Sequence, residues 1–206
     1  MARDLNPQCR QCRREGEKLF LKGERCLTEK CAIERRAYPP GMQGRGRIRQ
    51  SEYLLQLREK QKARRFYGVL ETQFRRYYDK ASRQQGITGE NLLRLLEMRL
   101  DNVVTRLGFA ASRRQARQLI RHGHFYVNAR RVDIPSFQVR PNDIVSLKPN
   151  SPVETIVRSA TDLVASVAPW LQADYDALNG KILKHPERSE IDTPVREQLI
   201  VELYSK

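Results

Sequence analysis

The spacing of apolar residues changes near residue 125 of this 206-residue chain. Before that point, apolar side chains recur every three or four residues, which is the spacing of one helix face. After it, short apolar runs alternate with turn residues such as Pro135 and Asn142, which is typical of short β-strands. The change predicts an α+β fold in which a mostly helical region is joined to a small antiparallel β region.

Four helices are predicted in the first part of the chain. Ser51 and Ser112 are suited to cap helix N-termini, because a serine hydroxyl can accept a backbone N–H there, and Gln115 would extend the second cap to a capping box. Gly108 and Gly123 are suited to end helices, since glycine readily adopts the left-handed conformation. The predicted helices cover approximately residues 52–65, 69–84, 88–107 and 112–122.

Short strands are predicted downstream, separated by turns at Ala129 and around Asn142. The following segment, 151–168, is predicted to be a loop followed by a short helical piece. The apolar run QLIVELY, residues 198–204, is predicted to be a strand. The other predicted strands are FYVN at 125–128, RVDI at 131–134, FQV at 137–139 and IVSL at 144–147.

The charge of the chain is concentrated in its first two thirds. The formal net charge is +15, from 39 Lys and Arg against 24 Asp and Glu. Residues 1–131 carry 31 basic and 13 acidic residues, whereas residues 132–206 carry 8 and 11. Arginine also outnumbers lysine, and its planar guanidinium can bind phosphate oxygens in pairs. The pattern predicts a polyanionic partner, and nucleic acid fits it best.

A membrane partner is not expected. No run of the sequence approaches the roughly 18 apolar residues that a membrane-spanning helix needs. The first residues, MARDLNPQ, also lack the apolar segment of a secretion signal. The loop AYPPGMQGRGRIR, residues 37–49, instead combines helix-breaking residues with arginines that can lie against a phosphate backbone.

The four cysteines of the chain are Cys9, Cys12, Cys26 and Cys31. Two close pairs separated by a loop can place four thiolates at the corners of a tetrahedron around one Zn²⁺. The spacing predicts a structural zinc site in an N-terminal metal-bound loop. An iron–sulfur cluster also takes four thiolates and stays open as the alternative cofactor. Disulfides are disfavoured, because nothing marks the chain as secreted.

Basic residues surround these cysteines. Four thiolates on one Zn²⁺ leave a charge of −2, which nearby cations can compensate. The same cations are expected to lower the pKa of the thiols. The residues with this predicted role are Arg10, Arg13, Arg14 and Arg25.

An RNA-modifying enzyme is the alternative function. The only histidines are His122, His124 and His185, and the sequence has no glycine-rich phosphate loop, nucleophile elbow or evident carboxylate pair. His122 and His124 flank Gly123 and fit phosphate contacts better than catalysis. We therefore expect a protein that is not an enzyme.

Residues 99–147, RLDNVVTRLGFAASRRQARQLIRHGHFYVNARRVDIPSFQVRPNDIVSL, resemble the S-four RNA-binding module. That module also occurs in pseudouridine synthases and tyrosyl-tRNA synthetases. The flanking segments NPQCRQCRREGEKLFLKGERCLTEKCAIERRAYPPGMQG, SEYLLQLREKQKARRFYGVLETQFRRYY and PWLQADYDALNGKIL extend the resemblance over essentially the whole chain. Together they resemble the bacterial small-subunit ribosomal protein S-four family, in its cysteine-containing, zinc-binding form.

This resemblance implies a fold and a role. The S-four module, with two short helices and a small antiparallel β region, would be inserted in a mostly helical domain. The protein would be a structural constituent of the small ribosomal subunit in the cytoplasm, binding the five-prime domain of small-subunit ribosomal RNA early and nucleating assembly. It would lie near the path by which mRNA enters, contact neighbouring small-subunit proteins, and be a monomer within the ribosome.

The predicted regions and RNA-binding residues follow from these arguments. The metal-binding extension would span 1–45, the helical domain 46–97 and the S-four module 98–160. The C-terminal segment, 161–206, would pack back on the helical domain. Many members of the family have Gly at the position of Ala129, so the turn type there is an open point. The predicted RNA-binding residues are Arg3, Arg10, Arg13, Arg14, Arg35, Arg36, Arg45, Arg47, Arg49, Lys62, Arg65, Arg113, Arg114, Arg117, Arg121, His122, His124, Arg130 and Arg131.

Overall fold

The computed structural model describes residues 4–46, 49–163 and 166–205, and the chain divides into two compact units. Unit 1 comprises Met1–Leu92 together with Thr193–Lys206, and unit 2 comprises Leu93–Asp192. Unit 2 is therefore inserted in the sequence of unit 1. It extends beyond residue 160, because residues 171–182 form two strands of its sheet.

Unit 1 is built from helices. They are α1 (Gln8–Glu15), α2 (Ala32–Arg35), α3 (Glu52–Phe66), α4 (Glu71–Ser82), the first half of α5 (Thr88–Glu97), and α9 (Glu197–Ser205), with a 3-10 turn at Gly23–Cys26. Helix α3 packs against α9, and Phe74 and Tyr77 of α4 are buried. The predicted helices at 52–65 and 69–84 are confirmed to within two residues at each end.

The run QLIVELY is part of helix α9, so the prediction of a strand there was wrong. Ile200 is buried, and the ring of Tyr204, four residues later, stacks on Tyr78 with 4.5 Å between centroids. In a helix, residues 200 and 204 share one face and residue 202 does not lie on it. In a strand, residues 200, 202 and 204 would all lie on the same side. Glu202 is exposed to solvent, which agrees with the helical spacing.

Unit 2 combines helices with a five-stranded antiparallel sheet. Its helices are the second half of α5, α6 (Leu100–Arg106), α7 (Arg113–Arg121) and α8 (Glu154–Thr161), with a 3-10 turn at Arg188–Glu190. Its strands are β1 (Phe125–Val127), β2 (Arg130–Arg131), β3 (Ile144–Leu147), β4 (Leu171–Asp174) and β5 (Asn179–Ile182), in the order β2-β1-β3-β5-β4. The α+β class is thereby confirmed.

The predicted continuous helix over 88–107 is interrupted between α5 and α6. Arg99 is fully buried there and donates to both carboxylate oxygens of Asp101, at 2.9 and 2.6 Å. The backbone N–H groups of Leu100 and Asp101 donate to the carbonyls of Phe137 and Pro135. The first turn of α6 thus donates its hydrogen bonds to a loop that is distant in sequence. The spacing of apolar residues alone does not reveal this interruption.

Both predicted serine caps form. The backbone N–H of Leu54 donates to Ser51 Oγ at 3.3 Å, and that of Gln115 donates to Ser112 Oγ at 3.3 Å. The capping box takes a shifted form, because Gln115 Oε1 accepts from the backbone N–H of Ala111 at 2.8 Å rather than from that of the cap residue. The helix still begins where the sequence predicts.

The sheet of unit 2 is larger than predicted. Strands β4 and β5 were not predicted, while FQV contributes only an isolated bridge between Gln138 and Arg99. Gly180 allows β5 to pack closely, since a Cβ there would lie 2.6 Å from Leu107 Cδ1. Around this sheet the buried core includes Trp170 and the stacked rings of Phe109 and Phe125, whose centroids are 6.3 Å apart.

The β1–β2 hairpin has a tight turn at Asn128 and Ala129. Both residues have positive φ, 49° and 62°. Left-handed backbone suits asparagine and glycine but places the Cβ of other residues against the backbone, at a cost of about 1–2 kcal/mol. Ala129 is therefore strained, which resolves the turn type that the sequence left open.

Candidate nucleic-acid interface

Helix α7 has one buried face and one basic face. Ala116, Leu119 and Ile120 are buried against the core of unit 2. The sequence of the helix, RRQARQLIR, contains four arginines and no acidic residue. Among them Arg114 and Arg121 are exposed, whereas Arg113 and Arg117 are partly exposed. The predicted basic face is thus present, with its members unequally accessible.

The chain leaves α7 and enters the β1–β2 hairpin through a group of basic side chains, which we call the hairpin cluster: His122, His124, Arg131 and Lys148. The histidine ring centroids lie 6.2 Å apart. The backbone N–H of Lys148 donates to the carbonyl of His124 at 2.8 Å. Arg131 lies across Gly123, where a Cβ would come within 2.6 Å of its Nη2. The lack of a side chain at Gly123 therefore allows Arg131 to join the cluster.

The electrostatics of this cluster favour an anion. Burial lowers the pKa of His124, and the positive charges of His122, Lys148 and Arg131 lower it further. The charged groups acting on His124 within the described residues are thus all cations. Its Nδ1 lies 3.0 Å from Ser151 Oγ. A phosphate placed here would relieve the mutual repulsion of the cations and favour the charged imidazole.

Lys148 was not predicted as an RNA-binding residue. Its place in the cluster follows from strand pairing. Phe125 pairs with Leu147, so the next residues outward, His124 on one strand and Lys148 on the other, are neighbours. At the far end of β1, Asn128 holds the turn: its Oδ1 accepts from the Ile144 N–H at 2.9 Å. Exposed Arg130 and Arg131 follow this turn, as predicted.

The arginine-rich loop after α2 is organised around Tyr38. The guanidinium carbons of Arg13 and Arg45 lie 4.9 and 4.8 Å from the centre of its ring. Arg13 Nε also donates to the carbonyl of Tyr38 at 3.0 Å, and Arg14 donates to the carbonyl of Pro40 at 3.3 Å. These contacts attach the loop to α1. Tyr38 is a second residue that the sequence analysis missed.

Apart from Lys62 and Arg65, the predicted residues of unit 1 fall into two groups. Two arginines, Arg3 and Arg47, lie outside the described residues. Others are exposed on the surface and accessible to a polyanion. The exposed residues are Arg10, Arg14, Arg35, Arg36, Arg45 and Arg49, and Arg13 is partly exposed.

Lys62 and Arg65 are placed differently from the exposed arginines. Lys62 Nζ lies 2.8 Å from a carboxylate oxygen of Glu59 and 3.2 Å from one of Glu17. Arg65 pairs with Glu15, whose side chain is only 1% exposed. Burial lowers the pKa of Arg65 and raises that of Glu15, in each case against the attraction between the two charges. Both basic residues thus neutralise carboxylates within unit 1.

The four cysteines are free thiols that line one small pocket. Cys12, Cys26 and Cys31 are buried and Cys9 is partly buried. The pocket has an internal volume of about 20 Å³, which is enough for a single water molecule or ion. Among the described residues, no set of three or more His, Cys, Asp or Glu side chains has the arrangement of a formed metal site. The predicted metal-bound loop therefore stays a proposal.

Two of the thiols, those of Cys12 and Cys26, have a raised pKa rather than the expected lowered one. Burial raises the pKa of Cys12 and of Cys26, and the charges of the other cysteines raise it further. Lys22 and Arg25 line the same pocket. Its cations are therefore outweighed by the loss of solvent around the sulfur atoms. Backbone hydrogen bonds favour the thiolate at both residues, from Leu19 to Cys12 and from the Lys22 N–H to Cys26 Sγ at 3.4 Å.

Comparison with known proteins identifies the family. Residues 3–97 match the family described as Ribosomal protein S4/S9 N-terminal domain, and residues 98–145 match the S4 domain. The chain belongs to the uS4 family of ribosomal proteins. It is 58% identical over 208 residues to small ribosomal subunit protein uS4 of Pelotomaculum thermopropionicum and 57% identical to that of Acetivibrio thermocellus, with the whole of each chain covered.

Family membership confirms several predictions. The resemblance to the bacterial S-four family is correct, and so is the prediction of a structural ribosomal protein rather than an RNA-modifying enzyme. The predicted location on the cytoplasmic ribosome agrees with the family as well. Among the described residues, no helix is long and apolar enough to cross a bilayer. The zinc-binding form of the family is not tested by these matches.

Proposed function

We propose that the chain binds the five-prime domain of small-subunit ribosomal RNA and thereby nucleates assembly of that subunit. The observation that carries the proposal is the segment from Arg113 to Arg131, which contains six arginines, two histidines and no acidic residue. It forms the basic face of α7 and, with Lys148, the hairpin cluster. Cations on such a surface bind phosphates and release the counterions of the RNA.

Recognition of shape supports specificity in this proposal. Folded RNA presents phosphates and 2′-hydroxyls in a fixed arrangement, and a rigid protein surface can match that arrangement without reading many bases. Both parts of the basic surface in unit 2 are rigid, because α7 is packed on the core and Asn128 fixes the hairpin turn. A stiff basic surface discriminates between folded RNAs by geometry.

A filter-binding assay with the full chain tests the proposal. We expect tighter binding to a transcript of the five-prime domain than to an unrelated folded RNA of equal length. The logarithm of the affinity should fall with the logarithm of salt concentration, by about 0.7–0.9 for each phosphate contacted. Equal affinity for the two RNAs would contradict the proposal, because only non-specific attraction would then remain.

The resemblance to the family supports a more detailed location. We propose that the protein lies near the path by which mRNA enters the small subunit, contacts neighbouring small-subunit proteins and is present there as a monomer. Reconstituted subunits carrying photoreactive mRNA test the first part, with a crosslink to this protein as the expected result. Crosslinks only to other proteins would contradict it.

We propose that Cys9, Cys12, Cys26 and Cys31 bind one Zn²⁺. All four line the same pocket, and their sulfur atoms are the complete ligand set of a structural zinc site. An iron–sulfur cluster, which also takes four thiolates, is the alternative occupant. The backbone N–H that donates to Cys26 Sγ is the kind of outer contact that stabilises a metal-bound thiolate. Bound Zn²⁺ would hold α1 and the segments around Cys26 and Cys31 together without taking part in catalysis.

Metal analysis of anaerobically purified protein tests the zinc proposal. We expect one zinc ion per chain and no iron. Replacing Cys9 and Cys12 together by Ser should release the zinc and expose residues 4–40 to protease, while the sheet of unit 2 stays protected. Iron with acid-labile sulfide would establish the alternative cofactor instead.

A further inference from the structure

A series of buried polar contacts connects the interior of unit 2 to Arg113 in the first turn of α7. Glu97 is fully buried and accepts from Arg106 Nε and Nη2 at 3.1 and 3.0 Å. Asn102 is 1% exposed, and its Nδ2 donates to the carbonyl and to the Oε2 of Glu97, at 3.0 and 2.6 Å. Its Oδ1 accepts from Arg113 Nε at 2.8 Å.

The direction of the Asn102 amide is determined by Glu97. An asparagine amide has two donors on its nitrogen and an acceptor on its oxygen. Because Nδ2 makes both contacts to Glu97, Oδ1 faces Arg113. Glu97 is itself held by Arg106, which also pairs with Asp192 at 2.5 Å. A buried polar group is favourable only when it is hydrogen-bonded, so this arrangement resists reorientation.

We propose that Asn102 is a positioning residue for RNA binding, which holds the Arg113 guanidinium in the direction in which it meets an RNA phosphate. The inference rests on the proposed function, since it takes the basic face of α7 as the RNA-binding surface. Asn102 has almost no exposed surface with which to contact RNA itself. Anchoring Arg113 through Nε restricts its rotamers before binding, which reduces the entropy that binding must remove.

A double-mutant cycle tests the inference. Affinity for the five-prime domain transcript is measured for the wild type, Asn102→Ala, Arg113→Gln and the double variant. We expect a loss of about tenfold for Arg113→Gln and about threefold for Asn102→Ala, with no additional loss from Asn102→Ala when Arg113 is already replaced. That coupling is specific to a residue that acts through Arg113.

Controls separate positioning from folding. Val103→Ala changes a fully buried neighbour on α6 and should lower the melting temperature while leaving affinity unchanged. Asn102→Ser replaces Asn102→Ala if the latter does not fold. An equal loss from the Asn102 variant in both Arg113 backgrounds would overturn the inference, and so would unchanged affinity of the Asn102 variant. Unchanged affinity of Arg113→Gln would instead count against the proposed RNA-binding surface.

Discussion

Helices α3 and α7 are both rich in basic residues, but the structure uses those residues differently. On α3, Lys60 lies 2.6 Å from Glu71, while Lys62 and Arg65 pair with carboxylates on α1, α3 and the segment after α1. On α7 there is no acidic residue, and Arg114 and Arg121 are exposed without an ion pair to the described parts of the chain. The positions of the counterions, more than the density of cations, therefore distinguish α3 from α7, the proposed binding surface.

The strongest test of this contrast is charge reversal on α7. Replacing Arg114 and Arg121 together by Glu should lower affinity for the five-prime domain about 100-fold at moderate salt, because two phosphate contacts become repulsive. The melting temperature should stay close to that of the wild type, since both side chains are exposed. Filter binding and thermal unfolding measure the two quantities. Unchanged affinity would mean that another face of unit 2 meets the RNA.

The matched change on α3 should have the opposite result. Replacing Lys62 and Arg65 together by Glu places new negative charge beside Glu15, Glu17 and Glu59. We expect the free energy of unfolding to fall by about 2 kcal/mol, because partly buried ion pairs become repulsive. Denaturant titration measures this loss. RNA affinity of the folded variant should stay within about twofold of the wild type. A large loss of affinity without loss of stability would erase the contrast between the helices.

A smaller effect is expected at the hairpin turn. Ala129→Gly removes the Cβ from a residue with φ of 62° and should raise the free energy of unfolding by about 1 kcal/mol. Denaturant titration tests this stabilisation. Ala111→Gly, on a partly exposed residue outside the turn, is the control and should not stabilise the protein. A destabilised Ala129→Gly variant would show that strain at this turn is not the dominant effect.

The smallest effect concerns pH. Burial and the cations of the hairpin cluster lower the pKa of His124, so the imidazole is mostly neutral at neutral pH in the free protein. A nearby phosphate favours its charged form, and affinity should therefore rise about threefold as the pH falls from about 8 to about 6. Filter binding across this range measures the rise, which His124→Gln should reduce. A rise of equal size in His124→Gln would assign it to another group.

The lowered pKa of His124 makes stability change with pH in the direction opposite to RNA affinity. An unfolded chain takes up a proton at His124 at a higher pH than the folded chain does. The contribution of neutral His124 to stability is therefore present above its unfolded pKa and is lost as the pH falls through the folded pKa. Affinity and stability thus change in opposite directions over the acidic range. Thermal unfolding of wild type and His124→Gln at each pH separates the two.

Local features of the fold could be predicted from sequence. The serine hydroxyls of Ser51 and Ser112 act within their own first turns, so the starts of α3 and α7 are visible in a few residues. The hairpin β4–β5 was missed because its pairing partner, β3, lies far away in sequence. The interruption before α6 was missed for the same reason, since the groups that accept its backbone N–H donors come from Pro135 and Phe137.

The candidate site was predictable in a similar way. The arginines of α7 and the hairpin are contiguous in sequence, so their grouping needs only the helical period and one turn. For Lys62, one counterion, Glu59, lies three positions away, but the other, Glu17, lies 45 positions earlier and cannot be assigned from sequence. Lys148 was missed because its neighbourhood depends on strand pairing with β1. Sequence reasoning is weakest where a distant segment determines what a side chain contacts.

The insertion of unit 2 between Leu92 and Thr193 affects how the chain folds during synthesis. Helix α9, which covers α3, is translated only after every residue of unit 2 has been made. Unit 2 is contiguous and can form its sheet as soon as its last strand has emerged. The earlier-made unit must wait, with the side of α3 that α9 covers still open to solvent. The order of completion is therefore reversed relative to the order of translation, and the N-terminal region is the part that stays incomplete longest during synthesis.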